Sequence, residues 1–62
     1  MEEKVHLRAW TSLEDQALYP ADYTFHVFGV ERARREARKL IDEDGFAVVH
    51  LIGVPTSFEK IV

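Results

Sequence analysis

Apolar and polar positions alternate in two separate stretches of the chain. In residues 4–10, KVHLRAW, Val5, Leu7 and Ala9 fall on one side, and Lys4, His6, Arg8 and Trp10 on the other. In residues 23–28, YTFHVF, Tyr23, Phe25 and Val27 share one side, and Thr24, His26 and Phe28 the other. A period of two over this length predicts a half-buried strand in each place. Gly29 breaks the second one. Residues 11–22, TSLEDQALYPAD, read as a connection. Thr11 with Glu14, or Ser12 with Asp15, fits a capping box, which predicts a short helical turn near 13–18. Pro20 would stop it.

From residue 30 the period becomes helical. Over 30–43, Val30, Ala33, Ala37, Leu40 and Ile41 fall on one stripe, as expected for a core-facing helix. Ala33 and Ala37 are small enough to let that helix lie close to a sheet. Gly45 supplies a left-handed position after its last turn. Residues 46–53, FAVVHLIG, are more continuously apolar and predict a third strand, central or covered on both faces, ended by Pro55. The tail, TSFEKIV, has apolar Phe58, Ile61 and Val62 and is expected to pack on the body. Together these predict one α+β domain over residues 1–62. Its three-stranded, mostly antiparallel sheet has one helix packed on one face. The chain order is β-β-α-β and the strand order 2-1-3, with the first strand central.

Composition narrows what such a domain can be. The chain has 62 residues and no Cys. A domain this small buries only about 60% of its unfolded surface and is marginally stable. Disulfides and Cys-containing zinc sites are excluded, which leaves a well-packed core, a histidine metal site, or a partner. The start, MEEKV, lacks the pattern of a secretory leader, and no apolar run approaches ~20 residues. The expectation is a soluble, cytoplasmic protein that does not engage a membrane. No Gly-rich phosphate loop appears, and Ser12 and Ser57 have no His or Asp at motif spacing. A non-enzymatic protein without a cofactor is therefore expected.

The net charge is −3. It disfavours direct contact with nucleic acid and favours a cationic partner. The acids are unevenly spread. No Lys or Arg occurs from Ala9 to Glu31, and none from Leu40 to Glu59. The predicted connectivity brings Glu14, Asp15, Asp22, Asp42, Glu43 and Asp44 to one pole. Three of these sit at the helix C-terminus, where the helix dipole disfavours negative charge by a few tenths of a kcal/mol. Solvated acids are one reading. An acidic recognition surface, filling a Lys/Arg-lined groove of a larger protein as phosphates would, is the functional one. The D-E-D run lacks the loop pattern of a calcium site.

His6, His26 and His50 come from three different strands, and parity puts them on the face away from the helix. If the register brought them together they would suit zinc. The same face is expected to carry Arg8, Trp10, Phe28, Phe46, Val48 and Ile52. An apolar face of that extent needs cover, either from the chain's own 11–22 segment and tail or from a second copy, as a homodimer. Aromatics exposed on a sheet also suit an RNA-stacking platform. The helix adds Arg32, Arg34, Arg35, Arg38 and Lys39, although Glu31, Glu36, Asp42 and Glu43 are interspersed among them. A small nucleic-acid-binding module is thus the first alternative, and a histidine-metal protein the second.

In size, lack of Cys, β-β-α-β plan and the acidic stretches SLEDQALYPAD and IDEDG, the chain resembles the small phage and mobile-element inhibitors called anti-CRISPR proteins. Several of these act as acidic DNA mimics. The resemblance implies an inhibitor in the host-cell cytoplasm whose acidic pole engages a basic, nucleic-acid-binding surface of a larger protein.

Overall fold

The computed structural model describes residues 2–53 and 57–62. The chain runs β1 (Lys4–Trp10), α1 (Leu13–Leu18), β2 (Tyr23–Phe28), α2 (Val30–Asp44), β3 (Val48–Ile52) and β4 (Phe58–Ile61). One sheet holds all four strands in the order β2-β1-β3-β4, with every neighbouring pair antiparallel. The fold is α+β with a central β1, as the alternation predicts. It corrects the expected element list twice: there are four strands rather than three, and two helices rather than one.

The two alternating stretches form strands because each offers one apolar side. Val5, Leu7 and Ala9 of β1, Val27 of β2, and Val49 and Leu51 of β3 are buried together with Ala33, Ala37 and Leu40 of α2. The alanines present only methyl groups to the sheet, so α2 lies close against it. Phe25, Val30, Ile41, Phe46 and Ile61 close the rim of this core. Gly45 ends α2 at φ 81, a left-handed conformation that glycine adopts without steric penalty. The amide N–H groups of Gly45 and Phe46 both donate to the Leu40 carbonyl.

That cap explains a further correction. Strand parity puts Phe46 on the open face. β3 begins only at Val48, so parity does not reach back to residue 46. The helix cap turns Phe46 to the α2 side instead, where its ring stacks on Tyr23 with centroids 6.2 Å apart. Apolar contact across a left-handed helix cap is common.

The short helix forms where the capping signal lies. Ser12 accepts from the Asp15 N–H at 3.1 Å, and the Tyr19 N–H closes the last turn on the Asp15 carbonyl. Pro20 follows directly, as helix termination requires. The tail is β4, a four-residue edge strand paired with β3. Its inward positions are Glu59 and Ile61. Glu59 is tolerated there because Arg34 of α2 reaches it with two hydrogen bonds of 2.8 and 2.9 Å. Arg38 adds a bond to the Val62 carbonyl at 3.0 Å. The Gly53 N–H, at φ 98, bonds the Ser57 carbonyl at 2.7 Å across the β3–β4 connection. Pro55, expected to end the third strand, lies outside the described residues.

Candidate functional site

α2 covers one face of the sheet and leaves the other open. The register arranges that open face in rows. His26, His6, Ile52 and Phe58 lie side by side across β2, β1, β3 and β4. Thr24, Arg8, His50 and Lys60 form the next row. Phe28 stands beside Lys4 at one end, and Trp10 beside Val48 at the other. Most of these side chains are exposed, Phe28 to 51% and Phe58 to 55%.

The end bearing Trp10 is not bare. The Trp10 indole N–H donates to the Tyr19 carbonyl at 2.9 Å, so the segment ending α1 lies over it. Trp10 is 6% exposed and Val48 fully buried. The expected apolar face is therefore covered at this end by the chain's own 11–22 segment. What stays open is polar, basic and aromatic. Its cations are Lys4, Arg8 and Lys60. No Asp or Glu occupies a strand position on this face among the described residues. The rest of the chain carries the other five Lys and Arg against all eleven Asp and Glu. The register has sorted the charge: the molecule is acidic, and its open face is basic.

The three histidines do not converge. His6 and His26 pair directly, with ring centroids 6.0 Å apart. His50 sits one row over, opposite Arg8 and Lys60. Its ring packs edge-on between Trp10 and Phe58, at 4.6 and 4.7 Å. Among the described residues no group of three His, Asp or Glu side chains is arranged to hold a metal ion. The zinc expectation needs all three imidazoles in one place, and the register separates them. Between β1 and β2, His6, Arg8, Thr24 and His26 rim a shallow depression of about 310 Å³. That is at the small end for a ligand pocket.

His50 gives the face a pH signature. Its Nε2 is buried without a hydrogen-bond partner among the described residues. Burial pushes the imidazole pKa below its usual 6.5, and Lys60 and Arg8 act in the same direction. Folded His50 thus resists a proton that the unfolded chain accepts. Its contribution to stability is complete above about pH 6.5 and is lost as pH falls below that value. The urea midpoint of the native protein is expected to drop between pH 7.5 and 5. His50→Phe, which fills the same gap with an apolar ring, is expected to flatten that drop. An equal drop in the variant would assign the titration elsewhere.

The six acids of the predicted pole are carried by segments that meet at one end of the sheet. The Ala47 N–H bonds the Trp10 carbonyl and the Asp22 N–H bonds the Ala9 carbonyl, each at 2.9 Å. The end of α2 and the 11–22 segment therefore meet at the same end of β1. Asp42, Glu43 and Asp44 belong to the layer of α2. Glu14 and Asp15 belong to α1, whose end docks on the Trp10 side of the sheet. The Asp22 carboxylate accepts from the Thr11 N–H and Oγ1 at 3.0 and 3.2 Å. Asp42 pairs with Arg38 at 3.6 Å. Beside the end of α2, Tyr23, Phe25 and Phe46 line a groove of about 390 Å³ together with Glu36, Lys39, Leu40 and Asp44.

The basic helix is partly spoken for, since Arg34 and Arg38 are bonded to Glu59, Asp42 and the Val62 carbonyl. Lys4, Thr24, Phe58 and Lys60 are members of the open face that the sequence alone does not single out as site residues. Lys4 and Thr24 are legible from strand parity. Phe58 and Lys60 need the fourth strand. No helix among the described residues is long and apolar enough to cross a membrane. No family model matches the chain, and no curated protein or solved structure matches it either.

Proposed function

We propose that this protein is a non-enzymatic binding module whose open sheet face engages an anionic partner. One observation carries the reading. Lys4, Arg8 and Lys60 share a face on which no described strand position holds a carboxylate, in a chain whose net charge is −3. Complementary potential favours encounter with a negative surface and suppresses contact with a positive one. The same argument opposes the homodimer through this face. Two copies would press like charges together around Phe28 and Phe58, the exposed rings that remain.

A second reading keeps the acidic end as the contact surface, as the resemblance to anti-CRISPR proteins implies: an inhibitor bound to a basic surface of a larger protein. The groove lined by Tyr23, Phe25 and Phe46 beside Glu36 and Asp44 favours it. Aromatic faces with carboxylates suit an inserted Lys or Arg side chain.

Titration with inorganic polyphosphate and with polylysine at low salt separates the two. Neutralising Asp42→Asn, Glu43→Gln and Asp44→Asn is expected to leave polyphosphate affinity equal or slightly raised. It is expected to leave folding intact or slightly improved, because unfavourable charge leaves the end of α2. Polylysine binding that vanishes in this variant, with no polyphosphate binding in the native protein, would move the site to the acidic end.

A further inference from the structure

We infer that the ligand of the open face is a single-stranded nucleic acid, with bases stacked on Phe28 and Phe58 and phosphates held by Arg8, Lys60 and Lys4. This rests on the reading of that face as an anion-binding surface. It adds a chemical class through the arrangement of the rings.

The exposed rings are not gathered into one apolar cluster. Phe28 stands on β2, one edge of the sheet, and Phe58 on β4, the other edge. The edges lie three strand spacings apart, about 14 Å. Arg8, on central β1, and Lys60 lie in the row between the ring-bearing rows and the covered Trp10 end. A protein partner is usually anchored by a contiguous, fully desolvated apolar centre. Here two half-exposed rings are set apart, with Lys4, Arg8 and Lys60 in their own or the next row; on its Gly29 side Phe28 shares a groove with Glu2, Glu3 and Glu31 and with Arg32 and Arg35. The spaced rings and cations match a ligand in which flat apolar groups and negative charges recur at intervals. A single strand is such a ligand: each base has a face to stack, and each phosphate a charge to pair. A duplex encloses its bases and offers the rings nothing. His26, edge-on to Phe28 at 5.7 Å, and His50, edge-on to Phe58 at 4.7 Å, brace the two rings from the side and leave their outer faces accessible. The depression rimmed by His6, Arg8, Thr24 and His26 adds hydrogen-bonding groups beside the first ring.

The test compares ligands of equal charge with and without bases. Labelled oligothymidylate of about ten nucleotides, an abasic strand of the same length, a matching duplex, and polyglutamate are titrated by fluorescence polarisation at two or more salt concentrations. The oligothymidylate is expected to bind at least about tenfold more tightly than the abasic strand, because base stacking on an aromatic side chain is worth roughly that per base. Its affinity is expected to fall with salt at a log–log slope of about −2, from three phosphate pairings at ~0.7 each. Phe28→Ala with Phe58→Ala, both at exposed positions, is expected to remove the tenfold advantage and leave the abasic affinity unchanged. Equal binding of the base-bearing and abasic strands would overturn the inference while leaving the anion-binding reading intact. So would duplex binding as tight as the single strand. Preference for polyglutamate would overturn it in favour of an acidic protein partner. No binding of any polyanion at low salt would overturn both readings.

Discussion

Leu51→Ala is expected to remove about half of the chain's stability. Leu51 is fully buried at the centre of the sheet, opposite Leu7 and beneath α2. Truncating such a leucine costs about 2–5 kcal/mol, from forfeited transfer free energy plus the cavity left behind. The whole stability of a 62-residue domain is about 3–9 kcal/mol at ordinary values per residue. No disulfide supplements it, since the chain has no Cys. A thermal melt followed by circular dichroism is expected to show the midpoint lowered by tens of degrees or no cooperative transition. Ile52→Ala, one residue on and only half-buried on the open face, is the control. It is expected to keep a cooperative melt near the native midpoint. Similar losses at 51 and 52 would mean that the open face is packed against something, contrary to the arrangement described above.

The second large effect is functional. Arg8→Glu with Lys60→Glu is expected to weaken binding of an anionic ligand by about 50-fold or more at low salt, with a flattened salt dependence. Each phosphate pairing is worth roughly fivefold near 0.1 M salt, and each reversed charge adds repulsion. Folding is expected to survive, because both side chains are exposed and neither has an ion-pair partner within 4.0 Å among the described residues. Isothermal titration with polyphosphate or oligothymidylate measures the loss. Reversal of Arg32 and Arg35 on the outer side of α2 is expected to change the affinity little. The opposite ranking would make the basic helix the contact surface.

Much of this architecture is legible in the chain because its signals are local. KVHLRAW and YTFHVF alternate cleanly, and their strands begin and end where the alternation does. Ser12 with Asp15 marks α1, and Gly45 marks the end of α2. What is not legible depends on tertiary partners. FEKI is too short for its period to stand out, and its inward Glu59 reads as a surface residue until Arg34 is seen to meet it. Phe46 follows the helix cap rather than the strand period, so parity puts it on the wrong face. Register decides the histidines. Parity places all three on the open face, but only the pairing of Arg8 with His50, and of His6 with His26, shows that one is set apart. The candidate site is half visible for the same reason. His6, Arg8, His26, Phe28 and His50 can be read from β1, β2 and β3, whereas the charge balance of the face emerges only when Lys60 and Phe58 join it through β4. Net charge points the other way because it averages over these strand positions and everything outside them.

On the reading proposed above, the protein meets its ligand at the sheet face whose described strand positions hold no carboxylate. Backbone amide chemical shifts of the nitrogen-15-labelled protein, followed as oligothymidylate is added at low salt, test it most directly. The expected result is a set of changes centred on Lys4–Arg8 of β1, Thr24–Phe28 of β2, His50 and Ile52 of β3, and Phe58–Lys60 of β4, with residues 42–44 and the outer side of α2 unmoved. Changes centred on Asp42–Asp44 and α1, or a spectrum that does not change at all, would contradict it.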